Sequence, residues 1–147
     1  MAFMGWPTKD IHKIPDFKEP LLKDPMQVHI GNEHLVFWVE NLNQISVMAM
    51  GCKIESFYPD GMNIHFVQKI NDCEICIKHW ERGVGQTISC GSGTVASVFA
   101  GHLLGYLGDE VLVRNSHEEV YVEKKDNGYA LTGRVHFIFD GRLRMRL

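Results

Sequence analysis

Short apolar runs separated by polar and turn residues dominate the chain. Val28-His29-Ile30, Leu35 to Val39, Ile64 to Val67, Glu74 to His79, Val111 to Val113, Val120 to Glu123 and Val135 to Phe139 are β-branched or aromatic, and each predicts a strand. Asp126-Asn127-Gly128 lies between two such runs and predicts a hairpin, because Asn-Gly tolerates the positive φ angles of a type I′ turn. Two segments break the strand pattern. Leu42 to Met50 predicts a short helix ended by Gly51. Cys90 to Gly108 contains no Asp, Glu, Lys or Arg. A surface helix needs a polar face, so this segment predicts a helix enclosed by strands on nearly all sides. Its five glycines, with Ser92, Thr94, Ser97 and His102, make it too polar for a membrane span. Gly93, Ala96, Ala100 and Gly101 are small enough for strands to approach closely.

Residues 1–26 differ from the rest. Pro7, Pro15, Pro20 and Pro25 among lysines give the composition of a linker, which leaves 27–147 as the packed domain. At 147 residues and 45% hydrophobic, the chain is long enough for one core. A net charge of −3 without a long basic run argues against nucleic acid or an anionic membrane as partner. No apolar segment of signal-peptide type precedes Lys9, Asp10 and Lys13, and four cysteines without a regular framework suit a reducing compartment. The expected location is cytoplasmic.

The chemistry concentrates in Glu81 to Gly93. Cys90 falls at the entrance of the uncharged helix, where unpaired N–H groups and the helix dipole stabilise a thiolate or a bound carboxylate. On that ground Cys90 is expected to alkylate faster than Cys52, Cys73 or Cys76. Glu81 offers a base and Arg82 a bidentate carboxylate partner. Gly83-Val84-Gly85 is not a dinucleotide fingerprint, since Ile88 occupies the third glycine position. Cys73-Glu74-Ile75-Cys76 has metal or redox spacing but lacks further ligands, and reads as two strand cysteines. The histidines other than His34 show no ligand spacing, so no metal site is expected.

The run Glu81-Arg82-Gly83-Val84-Gly85-Gln86-Thr87 followed by Cys90-Gly91-Ser92-Gly93 resembles the second cysteine signature of the diaminopimelate epimerases. Met4-Gly5-Trp6-Pro7, Gly31-Asn32-Glu33-His34, Lys53-Ile54-Glu55, Asn63 with Phe66-Val67-Gln68, and Leu131-Thr132-Gly133 are similar to that family in the same order. Glu33 stands where the family usually has proline, and Arg134 follows Thr132-Gly133 where proline is common.

The resemblance implies an α+β domain in which a strongly curved mixed sheet wraps one central helix. It also implies cofactor-independent inversion of LL- to meso-diaminopimelate, in lysine and peptidoglycan precursor synthesis, by two cysteines on opposite faces of the α-carbon. The family's first half ends in its own Cys-Gly-Asn signature, and no Cys-Gly-Asn occurs here. The chain therefore reads as the C-terminal half, carrying one catalytic cysteine and inactive without the other half. By resemblance Cys90 and Glu81 are catalytic. Asn32, Asn63, Arg82, Gly91, Ser92 and His34 bind substrate, with Asn63 and Arg82 serving its distal end. Expected partners are diaminopimelate, the missing N-terminal domain and, as an open alternative, a second copy in a homodimer. The alternative function is a non-catalytic stand-alone module that keeps the amino-acid pocket.

Overall fold

The computed structural model describes residues 1–10 and 13–144. The linker assignment at residues 11–12, which includes His12, and the domain assignment at 145–147 lie outside the described residues. The strands are β1 (Ala2–Phe3), β2 (Thr8–Lys9), β3 (Lys23–His29), β4 (Glu33–Trp38), β5 (Asn63–Asn71), β6 (Glu74–Glu81), β7 (Gly85–Thr87), β8 (Glu110–Arg114), β9 (Glu119–Lys125) and β10 (Gly128–Gly133). Helix α1 (Val47–Glu55) connects β4 to β5, and α2 (Gly91–Leu103) lies between β7 and β8. The sheet order is β1-β10-β9-β8-β6-β5-β4-β3-β2, with β7 branching from β6. The β4–β5 and β6–β8 pairs are parallel and the others antiparallel.

This order forces curvature. Nine strands on one path laid flat would place the edges about 38 Å apart at ~4.8 Å per step. The edge strands β1 and β2 are joined by the chain from Phe3 to Thr8, which reaches at most about 18 Å. The sheet must therefore curl until its two edges approach each other. Helix α2 packs against β3, β4 and β5 and also against β9 and β10, so it lies inside the curl. The enclosed helix and curved mixed sheet expected from the sequence are both present.

Two cores flank the sheet. Val36 and Trp38 of β4 point inward to Val95, Ala96, Val98 and Ala100 of α2, with Val111, Val113 and Val122 opposite. Leu35, Phe37 and Val39 point outward to Val47 and Ile54 of α1 and to Phe17. The apolar run Leu35 to Val39 is explained by burial on both faces of one strand. In α2, residues 93–98 are buried, as an uncharged helix requires.

Four expectations need correction. The helix expected over Leu42 to Met50 begins later, after a 3-10 turn at Leu42–Gln44, with the Ser46 side chain capping Ala49 N–H. Gly51 does not end it. A Cβ there would come within 2.4 Å of the Trp80 ring, so Gly51 admits the indole against the helix. The hairpin forms, with Lys125 opposite Gly128, but neither Asp126 nor Asn127 has positive φ and the turn is not type I′. Gly128 has φ 136°, and a Cβ on it would meet Gly5 O at 2.4 Å, so this glycine serves the close passage of the N-terminal segment.

Val135 to Phe139 is not a strand. Val135, Phe137, Ile138 and Phe139 are each at least 79% exposed. Both edges of β10 are already taken by β9 and β1, so this alternating segment finds no ladder beside it. Residues 1–26 are more than a linker: they supply β1, β2 and the start of β3, and Phe17 packs edge-on to Phe37 and Phe57. Backbone pairing at the sheet edges holds a segment whose composition offers little else to bury.

Candidate active site

The expected site residues gather at one end of the sheet. β4 and β5 run parallel with His34 opposite Asn63, and β6 returns antiparallel to end at Glu81. This places Asn32 and His34, Asn63, and Glu81 with Arg82 on adjacent strand ends. The mouth of α2 adds Cys90, Gly91 and Ser92. The residues expected to act on substrate therefore share one neighbourhood.

Cys90 is the N-cap of α2, with extended backbone and no side-chain cap bond. Its Sγ lies 3.7 Å from Ser92 Oγ, within reach of the Gly93 N–H and of the Glu81 carboxyl. The thiol is buried, and that burial pushes its pKa up. Donation from Gly93 and Ser92 opposes the shift, while the negative charge of Glu81 adds to it. A helix entrance alone thus does not make this thiol acidic: desolvation outweighs the donors.

Asn63 is 5% exposed and braces two loops. Its Nδ2 donates to Glu33 O at 2.7 Å, and its Oδ1 accepts from Arg82 N–H at 3.1 Å. Its side-chain oxygen is thereby committed to holding Arg82 in place. The Arg82 side chain runs past Gly61, where a Cβ would meet its Cγ at 2.4 Å. Glu33 spans the β3–β4 turn, accepting from Gln27 Nε2 at 3.3 Å and contacting His29 Nδ1 at 2.5 Å. It replaces the rigidity proline would give with side-chain bonds.

His34 is fully buried and continues into a chain of rings that sequence reasoning missed. His34 Nε2 donates to Asn32 Oδ1 at 2.7 Å, and His34 Nδ1 lies 2.8 Å from His65 Nε2. His65 Nδ1 lies 2.9 Å from His79 Nδ1, and His79 Nε2 lies 2.8 Å from Asn115 Oδ1. Burial lowers the pKa of His34 to about 4, against the opposing pull of Glu33 and Glu81. It holds His65 well below its ordinary value, with His79 and His34 adding to the effect. His79 is lowered by burial too. The available signal was a histidine inside the apolar run Ile64 to Val67, since a buried imidazole requires partners. One ring nitrogen from each of His34 and His65 lies with Cys90 Sγ in a group whose members are within 4.8 Å of one another. Cys73 and Cys76 are not part of it. All four cysteines are free.

Known proteins resemble this chain. The sequence profile of the family described as diaminopimelate epimerase matches residues 26–138. A diaminopimelate epimerase of Wolbachia sp. subsp. Brugia malayi (strain TRS) is 34% identical over 92% of this chain and 57% of its own length. One from Methanococcus aeolicus is 30% identical over 97% of this chain and 57% of its own length. The chain thus spans little more than half the length of these relatives. Among solved structures, a phenazine biosynthesis protein of the PhzF family from Enterococcus faecalis superposes with a TM-score of 0.54 at 15% identity, over 67% of this chain and 36% of that protein. That likeness is one of fold. The profile match across most of the chain, joined to a curled sheet around a buried helix with Cys90 at its mouth, places this chain in the diaminopimelate epimerase family.

Proposed function

We propose that this chain is the C-terminal half of a diaminopimelate epimerase and contributes one of two thiols that invert an α-carbon of diaminopimelate. The observation that carries the reading is the contact of Glu81 with a Cys90 thiol set at the mouth of α2. Removing an α-proton leaves a carbanion, which an unassisted base cannot generate at a useful rate. One thiolate takes the α-proton while a thiol on the opposite face delivers another, so the reaction consumes no proton overall. Cys90 enters as the acid: buried and raised in pKa, it holds its proton at neutral pH. After it has delivered that proton, the Gly93 N–H is placed to receive the thiolate, and Glu81 relays protons to and from it.

The substrate's α-carboxylate would sit at the N–H groups of Gly91 and Ser92, where developing charge meets fixed donors. Arg82 would pair with the distal carboxylate, while Asn32 and the second Asn63 amide N–H bind the substrate's polar groups. The opposing thiol and the other wall of the site come from an N-terminal domain. The proposed setting is the cytoplasm. Among the described residues no helix is long and apolar enough to cross a membrane.

The test is exchange of the α-hydrogen of LL-diaminopimelate in deuterated water. The chain alone should neither exchange nor invert, and adding a separately produced N-terminal half should restore both. Inversion by the chain alone would overturn the two-thiol division. No turnover in either arm, with diaminopimelate still bound, would favour the stand-alone binding module.

A further inference from the structure

The four contacts along the chain of rings cannot all be ordinary hydrogen bonds between neutral imidazoles while both end amides stay as observed. Four contacts of 2.7 to 2.9 Å link Asn32, His34, His65, His79 and Asn115, and both ends terminate on amide oxygens, which only accept. Four hydrogen bonds need four protons. Three neutral imidazoles carry three N–H groups. Satisfying both ends uses His34 Nε2–H for Asn32 and His79 Nε2–H for Asn115. His65 then has one N–H for two ring neighbours: given to His79 from Nδ1, it leaves His34 Nδ1 and His65 Nε2 as two bare lone pairs facing each other at 2.8 Å, and given to His34 from Nε2, it leaves the bare pair at the His65–His79 contact.

A bare pair is relieved by a cation, and of the two inter-ring contacts it is His34–His65 that has the Cys90 thiol in its cluster. We propose that His34 Nδ1, His65 Nε2 and Cys90 Sγ form a binding site for a borderline-soft divalent metal ion of the zinc class. Imidazole and thiolate together select such ions over magnesium or calcium. Two nitrogens bound tetrahedrally at ~2.0–2.1 Å stand about 3.3 Å apart, so the rings separate slightly and Cys90 closes in, leaving a fourth position open. The outer partners are already present. Asn32 accepts from His34, and His79 Nδ1 stands 2.9 Å from His65 Nδ1, placed to accept from it once the ion is bound. Gly93 makes the room, since a Cβ there would strike the His65 ring at 2.1 Å. Binding displaces the Cys90 proton to solvent and ties up the thiolate, so a bound ion would withdraw Cys90 from proton transfer. The inference shares Cys90 with the proposed reaction but rests on the grouping of His34, His65 and Cys90 and not on turnover.

Without metal, the count closes if the Asn115 amide turns over, and its Nδ2 has no partner in the observed orientation. Asn115 then donates to His79 Nε2, His79 Nδ1–H to His65, and His65 Nε2–H to His34. Metal binding therefore carries a signature on a ring that does not touch the ion: His79 moves its proton from Nδ1 to Nε2.

The experiment titrates the purified whole chain with Co²⁺ and Zn²⁺, following thiolate-to-cobalt charge-transfer absorption and histidine tautomers by long-range ¹H–¹⁵N NMR. The expected result is one Co²⁺ per chain with the thiolate band, and a His79 tautomer change on Zn²⁺ loading. His79→Phe should weaken binding by roughly 10- to 100-fold, and His65→Val by more. Cys90→Ser, which preserves the fold most closely, should abolish the band. Absence of the band at saturating Co²⁺, binding unaltered in Cys90→Ser and His65→Val, or an unmoved His79 tautomer would each overturn the proposal. None of these readouts depends on turnover, so failure here leaves the exchange experiment to judge Cys90 in catalysis.

Discussion

The ring of His65 occupies the space that a side chain at Gly93 would need, with His65 Cε1 2.1 Å from the position of a Gly93 Cβ. The ring is hemmed in, with His34 Nδ1 2.8 Å and His79 Nδ1 2.9 Å from its two nitrogens. Gly93→Ala is therefore expected to destabilise the chain by about 1–3 kcal/mol despite alanine's better helix propensity. Denaturant unfolding measures it. Combining the change with His65→Val, which removes the obstacle, should recover much of the loss. Simple additivity of the two would contradict the contact.

The buried histidines make stability fall with acid. His34, His65 and His79 have folded-state pKa values below 6.5, so the folded chain refuses protons that the unfolded chain accepts. Their contribution is complete above the unfolded value near 6.5 and is lost as pH falls from there toward about 4, the value for His34. At 1.36 kcal/mol per unit, His34 alone accounts for on the order of 3 kcal/mol. Denaturant midpoints with a chelator present should drop steadily between pH 7 and 5. A flat profile would mean the rings are not buried as described.

Thiol reactivity should invert the order expected from helix position. Cys52 and Cys73 are exposed, whereas Cys90 is buried with a raised pKa. Brief iodoacetamide treatment at neutral pH, with peptide mapping, should label Cys52 and Cys73 first. Glu81→Gln removes a charge that disfavours the thiolate, so labelling of Cys90 should accelerate and its pH profile shift downward. An unchanged profile would separate Glu81 from the thiol.

Asn63→Ala removes two part-buried hydrogen bonds, leaving the Glu33 carbonyl and the Arg82 N–H without this partner. A loss of about 1–3 kcal/mol for each group left unsatisfied is expected. Arg82 should also lose its fixed position, which limited proteolysis around Gly83 would detect. Stability within ~0.5 kcal/mol of the parent would show that these loops do not depend on Asn63.

What the sequence made legible was what depends on local pattern. An uncharged stretch from Cys90 to Gly108 implied an enclosed helix, which forms over Gly91–Leu103, and the apolar run Leu35 to Val39 marked a strand of the core. Glu81 and Cys90 stood out because their chemistry lies within one short segment. The ring of His65 against His79 did not, since it depends on the β5–β6 register that sets them opposite each other. Gly51 misled because close packing against Trp80 and helix termination use the same residue type. Val135 to Phe139 carries a strand's alternation, but whether alternation becomes a strand depends on a free neighbouring edge, and β1 had taken it.

The pairing of Ala2 with Leu131 gives this chain an unusual order of assembly. β5 and β6 meet across a tight turn and can pair as soon as both exist, as can β9 and β10. β1 is made well before its partner, which lies about 130 residues further along the chain. Contacts of such long sequence separation slow folding, because loop closure precedes any gain from the contact. Until β10 is made, the inward valines of β8 and β9 lack part of their enclosure, and the nascent sheet has an unclaimed edge. Truncation of the first nine residues would accordingly act less on the speed of forming the central hairpins than on the final step, in which the sheet seals around α2.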